Sequence, residues 1–352
     1  MKNKKLKILF FINTPTSYQL DFFIELKKLC NLKIIFYSKY YKNYNFIIKK
    51  NKNFFFLEGN PNATSIIKKI IDNFNPDFTV IGGYRLKYIS QIIQLVKENN
   101  KKYVFWLERL NTANSLKFRL VNYLIKKKVK KSHGILSVGN DAKNNYQKFN
   151  KSIINLPYSI NMDKFKRKKF FFINNKINFL YVGQLIERKG INHILNAFSN
   201  LSDKNKRKIS LTIVGDGPFK KKIINLSKYE KYISYKPFLN QKKLIPIFFK
   251  NDVFIFPSIF DGWGVAPTEA MASKMSLIVT KNVGMSEILN KKKSKIINYS
   301  NVELLKAIEN TINIQSNIIR EGNFNSKLIK SSLCNVKHST KYFLKFLKKL
   351  QN

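Results

Sequence analysis

The chain has 352 residues, enough for two ordinary α/β domains, and its 44% of hydrophobic residues can build sizeable cores. No run of about 18 apolar residues occurs, so no membrane-spanning helix is predicted, and the apolar part of MKNKKLKILFFIN is too short for a signal peptide. Cys30 and Cys334 are the two cysteines, which excludes a disulfide framework and predicts a protein of the reducing cytoplasm.

The charge is strongly positive, with 66 Lys and Arg against 20 Asp and Glu and a formal net charge of +46. Such an excess is typical of proteins that bind nucleic acid or an anionic membrane surface. Only seven of these basic residues are arginine, the residue that most often makes bidentate hydrogen bonds to nucleic-acid bases. No nucleic-acid-binding motif occurs. A Lys, Asn, Ile and Phe bias is also typical of an AT-rich genome. Membrane contact and coding bias both remain open, and a basic nucleic-acid-binding protein is the functional alternative of another class.

Strand and helix patterns alternate through the first half of the chain. Short apolar runs bounded by turn residues predict strands, and apolar residues at helical spacing predict helices. The predicted strands are 6–12, 32–37, 54–57, 78–81, 103–106 and 135–138, and the predicted helices are 20–29, 63–73, 85–98 and 114–131. This alternation predicts a parallel, doubly wound sheet.

Ligands of such sheets bind beyond the carboxyl ends of the strands. In the first half this rule places Tyr18, Gly83 and Glu108 on one rim. The alternative for Glu108 is an ion pair with Arg109 or with a nearby lysine.

The second half repeats the alternation after the polar, basic segment LPYSINMDKFKRKKFF at 156–171. Strands are predicted at 177–182, 209–214, 233–238, 253–256 and 277–280, and helices near 191–201, 219–228 and 242–249. The predicted domains are residues 1–165 and 166–330, followed by an amphipathic helix within 331–352.

The densest group of site-like residues lies in the predicted strand–loop–helix–strand unit 251–288. The loop SIFDGWG ends on Gly264, and Pro267 predicts the start of a helix, because its missing N–H costs nothing there. Backbone N–H groups at 264–266 therefore predict an anion site suited to a phosphate.

Two carboxylates, Asp261 and Glu269, lie on either side of this helix start. Each can accept two hydrogen bonds from the vicinal diol of a sugar or a ribose. The alternative for Glu269 is an acid in the first turn of the helix, favoured by the helix dipole alone.

The stretch FPSIFDGWGVAPTEAMA resembles the signature of retaining, nucleotide-sugar-dependent glycosyltransferases of family 4. The usual pattern is Glu, seven residues, Glu and then Ala-Met-Ala, and Asp261 stands here in place of the first Glu. The resemblance implies the GT-B fold, with two facing, doubly wound, Rossmann-like domains, a cleft between them and a C-terminal helix that crosses back to the first domain. It also implies that the first domain binds the acceptor and that the second domain binds the nucleotide sugar.

Two further loops extend the resemblance. GQLIERKG matches the family at Lys189 and Gly190, whereas Gln184 stands where an Arg is expected, and Arg188 is a candidate to compensate for it. VGDGP occupies the place where the family binds the nucleotide base. The implied donor-binding residues are Gly183, Gln184, Arg188, Lys189, Gly215, Asp216, Asp261, Gly262, Gly264, Val265 and Glu269.

The resemblance also assigns roles. Glu269 would hold the ribose diol and Asp261 the sugar hydroxyls, while Arg188 and Lys189 would stabilise the departing diphosphate. These four residues and Glu108 are the catalytic candidates, and Tyr18, Gly83 and Glu108 form the acceptor side. No cofactor is expected, and no metal either, because the chain has no Asp-x-Asp signature and its three histidines are scattered.

The first half is similar to family 4 members that build bacterial surface polysaccharides, in the order GGY, WLE, SVGNDAKNNY and LPYSINMDKF. The implied function is transfer of a sugar to a glycan or lipid-linked glycan in capsule, O-antigen or exopolysaccharide synthesis. The implied location is cytoplasmic, with a peripheral position on the inner face of the membrane as an extension. A GT-B sugar-nucleotide epimerase or phosphorylase is the alternative among enzymes.

Overall fold

The computed structural model describes residues 5–38, 53–83, 86–110, 116–167, 176–290 and 294–351. The chain divides into two compact units, the first formed by residues 1–159 and 336–352 and the second by residues 160–335. The sequence placed this division at residue 165, whereas contacts in the structure place it at 159.

In the described part of the first unit, seven strands form a sheet in the order β3-β2-β1-β4-β5-β6-β7, with parallel pairing throughout. The strands are β1 Lys7–Ile12, β2 Asn31–Phe36, β3 Phe54–Phe56, β4 Phe78–Gly82, β5 Lys102–Leu107, β6 Gly134–Ser137 and β7 Ile153–Asn155. The helices between them are α1 Ser17–Lys27, α2 Ala63–Phe74, α3 Leu86–Glu98, α4 Leu116–Lys130 and α5 Asn140–Tyr146.

The second unit has, among its described residues, six parallel strands in the order β10-β9-β8-β11-β12-β13. The strands are β8 Ile177–Val182, β9 Ile209–Val214, β10 Ile233–Lys236, β11 Val253–Phe256, β12 Ser276–Thr280 and β13 Lys295–Ile297. The helices are α6 Ile191–Ser199, α7 Asp203–Lys206, α8 Lys220–Tyr229, α9 Gln241–Phe249, α10 Val265–Ala272, α11 Asn301–Asn313 and α12 Ser316–Ser331.

Each sheet is doubly wound, because its first strand lies in the interior of the sheet. The chain adds the next strands on one side of this first strand and the later strands on its other side. β1 pairs with β2 and with β4, and β8 pairs with β9 and with β11. The central strands are nearly continuous apolar runs, since helices cover both faces of a parallel sheet. A crevice is expected beyond the carboxyl end of the first strand in each unit, where the strand order reverses.

The chain ends with α13 Val336–Lys349, which belongs to the first unit and packs against α1. Its Phe343 ring lies 5.8 Å from the rings of both Phe10 and Phe22, measured between centroids. Burial of these aromatic rings ties the end of the chain to the first sheet.

Some local predictions differ from the structure. α10 begins at Val265, two residues before Pro267, which is tolerated there because the first-turn N–H groups have no partner within the helix. Leu120 of α4 is 59% exposed, although apolar residues at helical spacing usually mark the buried face of a helix. The sequence did not predict α5, which is short and mostly polar. It also did not predict β7 and β13, which are short strands whose residues are only half-buried.

A buried ion pair lies at the edge of the second sheet where its strands begin. The Arg167 guanidinium contacts the Asp252 carboxylate at 3.4 Å and donates to the Asn251 carbonyl at 2.8 Å, and both charged side chains are 2% exposed. Burial raises the pKa of Asp252 and lowers that of Arg167, while their mutual attraction opposes both shifts. The side chain and backbone of Asn178 also donate to Asp252, at 2.8 and 3.1 Å.

We expect Arg167→Met to destabilise the protein by about 3–5 kcal/mol, because it leaves the Asp252 carboxylate buried without its cation. Urea unfolding followed by circular dichroism would measure the change. Lys166→Met is the matched control, since Lys166 is exposed and pairs with Asp163 at the surface, and it should cost less than about 1 kcal/mol. Equal costs for the two variants would show that the buried pair has no special role in stability.

Candidate functional site

In the second unit, the loops after β8 and β11 meet at the point where the strand order reverses. The loop after β8 contains a short 3-10 helix, Glu187–Lys189, and the loop after β11 leads into α10. The Arg188 carbonyl accepts hydrogen bonds from the Ile259 N–H and the Ser258 hydroxyl, both at 2.9 Å. The two loops are therefore fixed to each other by the backbone.

The central contact of this site is an ion pair between the Lys189 ammonium and the Asp261 carboxylate. The two side chains are 13% and 16% exposed, and the Lys189 ammonium also lies 5.4 Å from the centroid of the Phe256 ring. The other carboxylate oxygen of Asp261 accepts from the Trp263 N–H at 3.2 Å. The Lys189 ammonium is thus held in place and partly shielded from water.

Arg188 is exposed and donates to the Phe260 carbonyl at 2.6 Å, so it also joins the two loops. Gly190 follows with φ 74°, and a side chain there would overlap the Pro257 carbonyl oxygen. The glycine at position 190 is therefore required on steric grounds.

The loop after β9 packs beside the loop after β8. The Leu185 N–H donates to the Asp216 carbonyl at 2.9 Å, and a side chain at Gly215 would overlap the Gly183 carbonyl. Tyr235 donates to the Gly215 carbonyl at 3.1 Å, and burial, followed by the Asp216 carboxylate, raises the pKa of its phenol. The neighbouring loop after β8 contains Gln184, whose backbone carbonyl accepts from the Tyr181 hydroxyl at 2.8 Å.

The start of α10 has the backbone geometry of an anion site. Gly264 has φ 95°, no side chain caps the helix, and Val265 and Ala266 are half-buried. The first N–H groups of a helix have no partner within the helix. A side chain at Gly284 would overlap the Gly262 carbonyl, so the loop after β12 supports this turn.

Glu269 is the fifth residue of α10 and is 5% exposed, which rules out the alternative of a first-turn acid. Its carboxylate accepts from the Gln241 amide at 2.8 Å, and the carbonyl of that amide accepts from the Lys164 ammonium at 2.8 Å. The sequence did not predict Gln241, since 28 residues separate it from Glu269 and no local pattern links them. Asn240 caps α9 and so fixes Gln241 in the first turn.

In the first unit, the three predicted acceptor-side residues line one pocket of about 350 Å³. The pocket lies beyond the ends of β1, β4 and β5 and is lined by Ile12, Asn13, Thr14, Thr16, Tyr18, Gln19, Gly82, Gly83, Trp106, Glu108 and Tyr158. Its position is the point where the strand order of this sheet reverses.

Glu108 accepts a hydrogen bond from the Tyr158 hydroxyl at 2.8 Å. The ring of Tyr158 lies 4.5 Å from that of Tyr18 and 5.7 Å from that of Trp106, measured between centroids. Arg109, the partner suggested by the sequence for Glu108, forms an ion pair with Asp141 at 2.7 Å. The sequence missed Tyr158 as a member of this site.

Among the residues that the structure describes, no group of three or more His, Cys, Asp or Glu side chains is placed to hold a metal ion. The expectation that the reaction needs no metal stays a prediction.

Comparison with known proteins matches residues 162–323 to the family described as "Glycosyl transferases group 1". A protein of Bacillus subtilis named "Uncharacterized glycosyltransferase YqgM" is 26% identical over 156 residues, which are 42% of this chain and 41% of that protein. The match thus spans less than half the length of this relative.

Solved structures extend the similarity to the whole fold. HepE of Anabaena, solved in complex with UDP and glucose, aligns over 97% of this chain and 100% of its own, with a TM-score of 0.75 and 10% identity. WaaG, described as a glycosyltransferase involved in lipopolysaccharide biosynthesis, aligns over 96% and 98%, with a TM-score of 0.67 and 12% identity. The predicted fold class is confirmed in its two doubly wound, Rossmann-like halves, which are those of the GT-B glycosyltransferase structures, and residues 162–323 match the glycosyl transferases group 1 family.

Proposed function

We propose that the protein is a retaining glycosyltransferase that moves a sugar from a nucleotide-diphosphate sugar to a glycan or lipid-linked glycan. The observation that carries the proposal is the group of Lys189, Asp261 and the start of α10 at the strand-order reversal of the second sheet. This is where open α/β sheets bind nucleotides, and it lies within the segment that matches the glycosyl transferases group 1 family. Bound UDP in HepE supports a nucleotide donor.

The donor would lie along the second unit. The α10 N–H groups near Gly264 and Val265 and the Lys189 ammonium would bind the diphosphate, and Glu269 would accept hydrogen bonds from the ribose diol. Gln241 donates to one oxygen of Glu269 and so fixes the orientation of its carboxylate. Asp261, besides its proposed contact with the sugar hydroxyls, holds Lys189 in position.

The chemistry would follow from charge on the leaving group. As the bond to the sugar breaks, the diphosphate gains negative charge, which a fixed cation and oriented N–H groups stabilise without reorganisation. Attack from the face that the phosphate leaves would retain the configuration at the sugar carbon, and a phosphate oxygen would take the acceptor's proton. We propose that no metal or other cofactor takes part.

The acceptor would occupy the pocket of the first unit, near Tyr18, Gly83 and Glu108. Synthesis of a surface polysaccharide is the proposed pathway. Its support is the described role of WaaG in lipopolysaccharide biosynthesis.

The reaction is tested by incubating the purified protein with nucleotide sugars and glycan acceptors and identifying the products by mass spectrometry. Transfer to the acceptor with release of nucleoside diphosphate is the expected result. Interconversion of the nucleotide sugar would instead identify an epimerase, and consumption of phosphate with release of a sugar phosphate would identify a phosphorylase. Either outcome would refute the proposal.

Glu269→Gln should weaken nucleotide binding by about 1–3 kcal/mol, because a neutral amide accepts a weaker hydrogen bond from the ribose diol. Titration calorimetry with the nucleoside diphosphate would measure it. Glu309→Gln in α11 is the control with the same chemical change, outside the contacts that form this site. Unchanged donor affinity in Glu269→Gln would exclude the ribose assignment.

A membrane position is a separate proposal for the first unit. None of the described helices is long and apolar enough to cross a bilayer. One exposed face of α4 carries Leu120, Tyr123, Lys127 and Lys130, at spacings of three, four and three residues, and we propose that this face rests on an anionic leaflet. Further lysines between 39 and 52, which could add to the same contact, lie outside the described residues.

The geometry separates the lysines of α4 from the acceptor pocket. Lys130 and Lys131 lie a few residues before β6, near the amino edge of the sheet, whereas Gly83 and Glu108 follow strands at the carboxyl edge. Strands of about six residues put these edges roughly 20 Å apart. A lipid-linked acceptor would therefore need a glycan long enough to span that distance.

We expect binding to vesicles that contain phosphatidylglycerol at low salt, with loss of binding at high salt. Replacing Lys127, Lys130 and Lys131 by Gln should weaken it about 100-fold, at roughly 1 kcal/mol for each lysine near the surface. The charge-matched control replaces exposed Lys221, Lys228 and Lys231 of the second unit. Equal losses in both triple variants would show that only total charge matters, and no binding at low salt would exclude the membrane contact.

A further inference from the structure

Two residues outside the motif segment 251–288 connect to Glu269 by side-chain hydrogen bonds. The Gln241 amide nitrogen donates to the Glu269 carboxylate at 2.8 Å, and the Lys164 ammonium donates to the Gln241 amide oxygen at 2.8 Å. We call these three side chains the Lys164–Gln241–Glu269 network. Its members come from the short 3-10 helix Met162–Phe165, from α9 and from α10.

The outer groups of the network fix the orientation of the Gln241 amide. A lysine ammonium only donates hydrogen bonds, and an ionised carboxylate only accepts them. Between Lys164 and Glu269, the amide satisfies both partners only with its oxygen towards the ammonium and its nitrogen towards the carboxylate. The opposite orientation would place two acceptors against each other at one end and two donors at the other. Lys164 therefore determines which face of the amide Glu269 meets.

Packing holds the backbone of the two supporting elements. The Asn240 side chain accepts a backbone N–H hydrogen bond in the first turn of α9 at 3.1 Å and so fixes the start of the helix at Gln241. Phe165, next to Lys164, is 2% exposed, and its ring centroid lies 6.3 Å from that of Phe248 in α9. The 3-10 helix and α9 thus pack against each other through aromatic rings.

This support matters for Glu269 because a hydrogen bond depends on direction as well as distance. A hydrogen bond weakens steeply when its angle falls below about 120°, and a glutamate side chain can rotate about three bonds. Glu269 is 5% exposed, and the bond from Gln241 restricts the rotation of its carboxylate. A site holds its ligand well when such supporting hydrogen bonds lock the side chains that touch it.

We propose that Gln241 is a positioning residue for donor binding and that Lys164 acts through it by fixing the orientation of its amide. The inference rests on the proposed function for the contact between Glu269 and the ribose diol. The role requires no contact between the donor and either Gln241 or Lys164. Loss of either side chain weakens the hydrogen bonds to the ribose hydroxyls and leaves the binding of the base and the diphosphate intact.

The test is titration calorimetry of the full-length protein with UDP, ADP and GDP and with the 2′-deoxy counterpart of each. The measured quantity is the Kd of the 2′-deoxy nucleotide divided by the Kd of the ribonucleotide, for the pair whose ribonucleotide binds the wild-type protein most tightly. Both members of a pair carry the same base and charge, so this Kd ratio is insensitive to changes in the overall charge or in the folded fraction. We expect a Kd ratio of at least about 10 in the wild-type protein, because the 2′-deoxy nucleotide loses a hydrogen bond to a charged group.

Gln241→Met removes the amide at nearly constant size, and the Kd ratio should fall below about 3. Lys164→Met should give an intermediate ratio, and Lys164→Arg should keep the wild-type ratio because arginine also only donates. Adding Lys164→Met to Gln241→Met should change the ratio no further, because Lys164 acts through Gln241.

Lys166→Met is the control, since it makes the same change at an exposed lysine of the same segment, whose partner is Asp163. It should leave the Kd ratio unchanged. Equal binding of both nucleotides by the wild-type protein, or an unchanged ratio in Gln241→Met, would overturn the inference. Equal effects of Lys164→Met and Lys166→Met, or additive effects in the double variant, would do the same.

The assay of sugar transfer distinguishes failure of this inference from failure of the proposed function. Sugar transfer by the wild-type protein, with a Kd ratio that Gln241→Met leaves unchanged, would refute only this inference. The expected Kd ratios without any sugar transfer would refute only the glycosyltransferase proposal. A wild-type protein that binds none of the nucleotides would refute both.

Discussion

The ion pair between Lys189 and Asp261 is the interaction on which the candidate donor site depends. It joins the loop after β8 to the loop after β11, and the two residues are 72 positions apart in the sequence. In water, two such charges would gain little from pairing, but here both side chains are largely shielded and the Phe256 ring lies beside the cation. Folding thus fixes the position of the Lys189 ammonium before any donor binds. Such preorganised charge is what electrostatic catalysis requires.

The backbone around this pair explains the glycines. Gly190 and Gly215 each lie against a carbonyl oxygen of a neighbouring loop, where a side chain would overlap it. These contacts hold the loops after β8, β9 and β11 together, so the site is supported by main-chain geometry as well as by charge. In the first unit, at the corresponding reversal of strand order, Gly83 lies instead against the side-chain amide of Asn13. A glycine therefore permits close approach of two segments at the reversal point of each sheet.

The sequence predicted the strands that are fully buried, such as Ile177–Val182 and Val253–Phe256, because continuous apolar runs have few alternatives in an α/β chain. It missed β7 and β13, whose residues are only half-buried and therefore lack a clear apolar pattern. It named Glu269 from a motif but could not find Gln241, because their contact depends on where α9 and α10 pack. It also treated Asp261 as a ligand of the sugar alone, since the pairing with Lys189 is visible only in three dimensions.

The role of Lys189 in catalysis is tested most directly by the steady-state kinetics of Lys189→Ala. Because leaving-group charge is largest in the transition state, kcat should fall about 100-fold while donor affinity changes much less. The double variant Lys189→Ala/Asp261→Asn should recover stability without recovering kcat, if the cause is the missing cation rather than an unpaired carboxylate. An unaltered kcat in Lys189→Ala, with wild-type donor affinity, would contradict a role for this cation in catalysis.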